Sequence, residues 1–315
     1  ARVPRANPAV RWPTAMAVTV ALSSLVLLVP PADAVGATAT ANAAGSTGEA
    51  AAETVTTVVA AGTHACALSS AGVVRCWGSN TYGTLGTGDL RQPVGDAPDE
   101  MPDDVVPVDL GAGHHADSVA ASGDTTCVER EDGAVKCWGG NDQGQLGLGD
   151  TSRRGWLPSH MGDTGLVDLG TGRTATEVVV GGTHACALLD GGDVRCWGDN
   201  DDGQLGVGDT ADRGDGPGEM GDALPLVDLG PDRTATAIAA GSGFTCAVLD
   251  DGGVKCWGRN YRGRLGLGDT ADRGDGPGEM GDALPPVDLG PGRTATAVSA
   301  GLDHTCAVLD QGAVR

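Results

Sequence analysis

Positive charge is scarce in this sequence: 20 lysines and arginines stand against 42 aspartates and glutamates, for a net charge of −22. Nucleic acids and anionic membrane surfaces both bind through basic groups that displace counterions, so neither is expected as a partner. A basic protein or a divalent cation is compatible with the charge. Long hydrophobic runs are scarcer still, with a single one over residues 15–29. No second run follows, so no membrane insertion is expected beyond it. Helical periodicity is also missing, because no stretch after residue 34 holds a 3.6-residue apolar pattern over three turns. There is no Gly-x-Ser-x-Gly, no His-Glu-x-x-His and no paired-carboxylate motif. Catalysis therefore has no anchor here, and the chain is not expected to be an enzyme.

The one apolar run has a context. Arg2, Arg5 and Arg11 precede it, Pro30 and Pro31 end it, and Ala32-Asp33-Ala34 supplies a small-x-small site. This is the order of a secretory signal peptide, assigned to residues 1–34, with an uncleaved anchor as the alternative. Removing it leaves 17 basic and 41 acidic side chains. Residues 35–53 are alanine, threonine and glycine without a period, and are read as a flexible spacer. Residues 54–315 are long enough for a large core.

That remaining part is a repeat. Cys66, Cys127, Cys186, Cys246 and Cys306 recur about every sixty residues, and Cys76, Cys137, Cys196 and Cys256 each follow ten residues after a partner. One unit holds four short apolar segments, such as residues 224–230, 234–241, 244–249 and 254–258. Their length, β-branched content and bounding glycines favour strands. Residues 54–59 are helix-compatible in composition but occupy the place of the second segment. If Cys66 faces Cys76, then Ser69 faces Val73 across a three-residue loop ending in Gly72. The same register puts Gly133, Gly192, Gly252 and Gly312 where such a loop needs a left-handed backbone. Facing cysteines of an antiparallel pair lie within disulfide reach, so bridges are expected at 66–76, 127–137, 186–196 and 246–256. A zinc site is disfavoured, since the possible third ligand His64 is replaced by Thr125 and Phe244 in other units.

A four-stranded unit cannot bury its own sheet faces, whereas radially stacked units can, which predicts an all-β propeller. Residues 137–150 and 196–209 read Cys-Trp-Gly-x-Asn-x-x-Gly-Gln-Leu-Gly-x-Gly-Asp, with close forms at 76–89 and 256–269. These motifs resemble the regulator-of-chromosome-condensation repeat family, over essentially all of residues 55–315. The resemblance implies four-stranded blades in a seven-bladed ring, of which this chain holds an incomplete part of about 4.5 units. Cys306 is then expected to be unpaired by truncation within the fifth. The family's uses include a nuclear exchange factor, a plant ultraviolet photoreceptor and secreted bacterial inhibitors of β-lactamase. The cysteine pairs point to its secreted bacterial variant.

Within that frame Trp77, Trp138, Trp197 and Trp257 are expected to pack blade against blade. The loops at 208–222 and 268–282 are acidic; Asp209, Asp212, Asp215, Glu219 and Asp222 are weak calcium candidates, against the simpler reading of solvated turns with no metal or other cofactor. Arg153, Arg154, Trp156 and His160 interrupt the acidic pattern in one unit and form a possible binding loop. The expectation is a secreted or cell-surface propeller that binds an unknown protein or cell-surface macromolecule. A secreted enzyme inhibitor and a propeller hydrolase or lyase are the alternatives.

Overall fold

The computed structural model describes residues 53–89, 93–97, 100 and 105–315. The signal peptide expected at 1–34, and all of the 35–53 spacer except Glu53, lie outside the described residues. The described chain is all β, with single 3₁₀ turns as its only helical pieces, and none of its helices is long and apolar enough to cross a membrane. Strands β1 (Val55–Ala60), β2 (His64–Ser69) and β3 (Val74–Gly78) form the first sheet, in that order. The same meander recurs as β4 (Ala116–Ser122), β5 (Thr125–Arg130) and β6 (Val135–Gly139), then as β7 (Ala175–Val180), β8 (His184–Leu189) and β9 (Val194–Gly198). It recurs again as β10 (Ala235–Ala240), β11 (Phe244–Leu249) and β12 (Val254–Gly258), and ends with the pair β13 (Ala295–Ala300) and β14 (Thr305–Leu309).

The register follows from the hairpin. Ser69 N–H donates to Val73 O at 3.0 Å and Gly72 N–H to Ser69 O at 3.0 Å. The five loop glycines 72, 133, 192, 252 and 312 take φ of 72, 75, 87, 78 and 75°, a region closed to most side chains. Cys66 faces Cys76 and Leu68 faces Val74. Each bridged pair holds its Cα atoms 4.0 to 4.1 Å apart, the close spacing of a non-hydrogen-bonded antiparallel pair. The middle strands β5, β8 and β11 are buried at every position, because both of their faces pack on a neighbour.

The fourth segment of each blade is reduced to an edge. Val108, Val167, Val227 and Val287 each donate N–H to the first valine of the third strand, Val74, Val135, Val194 and Val254, at 2.8 to 2.9 Å. The segment that opens a sequence unit thus closes the sheet of the unit before it. In the blade of β7–β9, Val227 and Leu229 come from the run at 224–230. The core lies between blades: Leu68, Val74 and Leu85 of the first cluster with Val119, Val128 and Trp138 of the second blade, and likewise along the chain. The first strands β1, β4, β7, β10 and β13 line one 450 Å³ cavity, with Thr57, Asp117, Glu177, Ile238 and Ser299 among its walls. That is the axial channel of an incomplete propeller.

Candidate functional site

The longest loops leave the ends of the third strands. At the end of β6, Gly139 and Arg154 exchange backbone hydrogen bonds of 3.0 and 3.2 Å, which holds the loop against the sheet. Beneath it Lys136, the second residue of β6, is fully buried and donates to His160 O at 3.3 Å and to Thr164 O. Burial pulls its ammonium down to about 8. Arg195 and Lys255 do the same work in the next two blades, donating to Leu169 O and Gly221 O and to Leu229 O and Gly281 O.

On this platform stand the four residues of the expected binding loop. Arg153 makes a forked ion pair with Asp142 (2.9 Å at its shortest) and lies 4.2 Å over the Tyr82 ring of the preceding blade. Arg154 pairs with Asp150 at 2.6 Å and turns back to Ser152 O. Trp156 is 38% exposed and Leu157 40% exposed. The indole N–H donates to Arg153 O at 3.3 Å, and its ring meets His160 edge-on at 5.6 Å. Burial first, then the Arg154 and Lys136 charges, hold the His160 ring below the usual imidazole range. A 570 Å³ cavity opens beside the loop, walled by Arg154, His160 and Thr164 on one side and by Pro217 and Met220 of the next blade on the other. The arrangement offers an aromatic and aliphatic surface, a stacked guanidinium and an adjoining hollow. It holds no nucleophile paired with a base.

The other expected residues are more structural. Trp138, Trp197 and Trp257 are fully buried and donate to Thr84 O, Gln145 O and Gln204 O of the preceding blade at 2.9 to 3.0 Å. Trp77 has no earlier blade among the described residues and is half-buried. Disulfides join Cys66–Cys76, Cys127–Cys137, Cys186–Cys196 and Cys246–Cys256, and Cys306 is a half-buried free thiol. The calcium candidates do not converge. Asp209 pairs with Arg213 at 2.7 Å, Glu219 accepts from Gly214 and Gly216 N–H, and Asp222 accepts from Thr171. Burial raises Asp215, with the neighbouring Glu219 carboxylate adding to it. Only Asp212 joins a carboxylate group, with Asp199 and Asp201, whose oxygens lie within 4.8 Å of one another.

Three features escape sequence reading. Asn80, Asn141, Asn200 and Asn260 are fully buried staples: their amide oxygens accept from the leucine five residues on, at 2.9 to 3.1 Å. The motif's glycines make the turn, and a Cβ at Gly86, Gly147 or Gly206 would come within 2.6 to 2.8 Å of the indole nitrogen of Trp138, Trp197 or Trp257, so these three seat the next blade's indole. Tyr82 and Leu157 complete the loop surface from outside the four expected residues. The buried cations Lys136, Arg195 and Lys255 had one signal, a basic residue at the same place in every third strand.

The Regulator of chromosome condensation (RCC1) repeat matches residues 132–188, 191–248 and 251–308, and a second description of that repeat matches 55–84, 116–145, 175–204 and 235–264. With the blades and their linking tryptophans, this makes the chain a propeller scaffold of tandem repeats rather than an enzyme. It belongs to the regulator of chromosome condensation repeat family. It is similar to the Ultraviolet-B receptor UVR8 of Arabidopsis thaliana, 33% identical over 221 residues, covering 69% of this chain and 44% of that protein. It is also similar to the Regulator of chromosome condensation of Drosophila melanogaster, 34% identical over 186 residues, covering 58% of this chain and 29% of that protein. Among solved structures, yeast RCC1 (Prp20) bound to Kap60 aligns with a TM-score of 0.55 at 22% identity, over 84% of this chain and 56% of that chain. The chain thus spans less than half the length of these two relatives.

These findings correct the expected lineage and setting. The relatives described are plant, insect and yeast proteins, one named as an ultraviolet-B receptor, two for chromosome condensation and a further Arabidopsis relative as mitochondrial, and none is named as a secreted bacterial protein. The secreted or cell-surface location, the cell-surface partner and the secreted β-lactamase inhibitor fall together. The hydrolase or lyase alternative gives way to the repeat scaffold. The expectation rested on the segment at 1–34, which lies outside the described residues, and on the cysteine pairs. Their approach to 4.0 Å is set by hairpin register and carries no address.

Proposed function

We propose that residues 54–315 form a protein-binding scaffold that engages its partner through the loop at 153–160 on the second blade. The observation that carries this reading is the exposed pair Trp156 and Leu157, flanked by Arg153 stacked on Tyr82. Tryptophan and arginine dominate interface hot spots, and a guanidinium already held by Asp142 loses little freedom on binding. Support also comes from the yeast member of the family, described in complex with Kap60 and, separately, for its binding to Gsp1p and histones. Protein recognition is what is carried over, with the partner's identity left to experiment.

The test is site-specific photo-crosslinking in an extract of the chain's own cells. A benzophenone amino acid at position 156 is compared with one at exposed Pro291, which lies at the other end of the strands. A discrete protein adduct from position 156 alone, lost in Arg153→Ala/Leu157→Ala, is the expected result. The same set of adducts from both positions would overturn the assignment.

A further inference from the structure

The loop after the third strand recurs from blade to blade, and its middle residues form a small cradle of backbone amides. In the third blade Glu219 Oε2 accepts from Gly214 N–H at 3.0 Å and from Gly216 N–H at 2.9 Å. In the fourth, Glu279 Oε2 accepts from Gly274 and Gly276 N–H, both at 3.0 Å. The first blade's loop has another sequence, yet Glu100 Oε2 accepts there from the amides of Gly95, Asp96 and Ala97 at 2.8 to 3.3 Å. Led by Gly95, these amides hold the Glu100 carboxyl below its usual range. Each of these three loops fills its cradle with a carboxylate of its own.

The second blade keeps the cradle and has no such carboxylate. Arg154 bridges Gly139 as Arg213 bridges Gly198 and Arg273 bridges Gly258. Gly155, Gly214 and Gly274 take φ of 103, 87 and 85°, and their carbonyls accept from Gly88, Gly149 and Gly208 N–H at 3.0 to 3.1 Å. The loops diverge from residue 158, where the second blade tightens into a 3₁₀ turn over Pro158–His160. Leu157 stands at the position of Gly216 and Gly276, and His160 at that of Glu219 and Glu279. Among the described residues nothing accepts from the N–H of Gly155 or Leu157. Gly155 is buried, and a buried amide without an acceptor is rare. His160 Nδ1 is buried without a partner as well. The loop also carries Arg153 and Trp156 where the third blade has Asp212 and Asp215, so the acids that would repel a second carboxylate are gone.

We propose that this cradle receives a carboxylate from outside the chain, an aspartate or glutamate side chain of a partner protein. Gly155 and Leu157 N–H hold it as their counterparts hold Glu219, and the Lys136 ammonium, 3.3 Å from His160 O, adds positive charge beneath. The chain's net charge of −22 opposes an acidic partner at long range, but that repulsion is screened within about 8 Å at physiological salt. The inference rests on the loop at 153–160 being the binding surface and names the chemistry that it reads.

The test is an amide chemical-shift titration of the nitrogen-15-labelled 315-residue chain with N-acetylglutamate amide, against N-acetylglutamine amide at equal ionic strength. Saturable shifts of the Gly155 and Leu157 amides with the glutamate compound alone are expected, while the Gly214 and Gly274 amides, already occupied, stay in place. His160→Glu gives the second blade the residue of the third and fourth, and is expected to weaken binding at least about tenfold, the loss of a charge-assisted hydrogen bond. Absence of a saturable shift, equal shifts with the glutamine compound, or undiminished binding in His160→Glu would each overturn the proposal. The two readings fail separately. A crosslinked adduct from position 156 that persists in His160→Glu keeps the loop as an interface and removes the carboxylate from it. A successful titration beside identical adducts from positions 156 and 291 keeps the cradle and overturns the loop as the protein-binding surface.

Discussion

Acid is expected to weaken this propeller through two histidines that sit between blades. His184 is fully buried, its Nε2 lies 2.9 Å from Thr245 Oγ1, and that hydroxyl donates to Gln204 O at 2.9 Å. The hydroxyl proton is committed, so Nε2–H must donate, and Nδ1 is left as a bare buried acceptor. His64 repeats the arrangement with Thr126, at 2.7 Å, and Thr84 O. A proton on either Nδ1 would have no partner, and burial depresses both rings to about 4. A base whose folded value is lowered stabilises above its unfolded value, near 6.5, and loses that contribution as pH falls toward 4. Between pH 7 and pH 5 the loss is about 2 kcal/mol per histidine. The assay is urea unfolding of non-reduced protein at both pH values, for the natural chain and for His64→Gln/His184→Gln. Glutamine keeps a donor for the threonine hydroxyl and removes the titration. Half-buried carboxyls such as Glu177, raised by desolvation, push the other way but are common to both proteins and cancel. The double variant is expected to lose about 4 kcal/mol less than the natural chain on acidification. An identical pH dependence in the two proteins would refute the reasoning.

Two further outcomes follow from packing. Gly206→Ala puts a Cβ 2.6 Å from the indole nitrogen of the fully buried Trp257, whereas the Cβ of Gly266→Ala meets Val287 at 3.1 Å, so both share the left-handed backbone penalty and the first overpacks the more severely. The first is expected to cost about 1–3 kcal/mol more in urea unfolding, and equal losses would contradict the indole seat. Lys136 is a buried base lowered to about 8, so stability rises as pH climbs past 8 toward its unfolded value. The gain from pH 8 to 9 is about 1 kcal/mol by denaturant unfolding and is expected to vanish in Lys136→Met.

The hairpins were legible in the sequence because cysteines ten residues apart and a glycine at each loop end admit one register. The tryptophans were legible as packing residues because they recur at one place, though not that each reaches back to a carbonyl of the previous blade. Boundaries were harder. The run at 224–230 opens a sequence unit, yet Val227 bonds to Val194 and closes the preceding sheet, which only the three-dimensional order reveals. The acidic loops were legible as solvated turns, but not in the partner that each carboxylate takes. Asp209 is paired with Arg213, Glu219 accepts from backbone N–H groups, and Asp222 accepts from Thr171, fifty-one residues earlier in the chain. Arg153, Arg154, Trp156 and His160 were visible as a break in the repeat, but Tyr82, which the Arg153 guanidinium covers, lies seventy residues away and in another blade.

The central claim is that every repeat folds into the same hairpin-based sheet, tied within itself and stacked on its neighbour. Peptide mapping of the non-reduced, alkylated protein by mass spectrometry tests it most directly. The account predicts bridges 66–76, 127–137, 186–196 and 246–256, with Cys306 alone carrying the alkyl label. A bridge between cysteines of different repeats, or label on any of the eight paired positions, would contradict it.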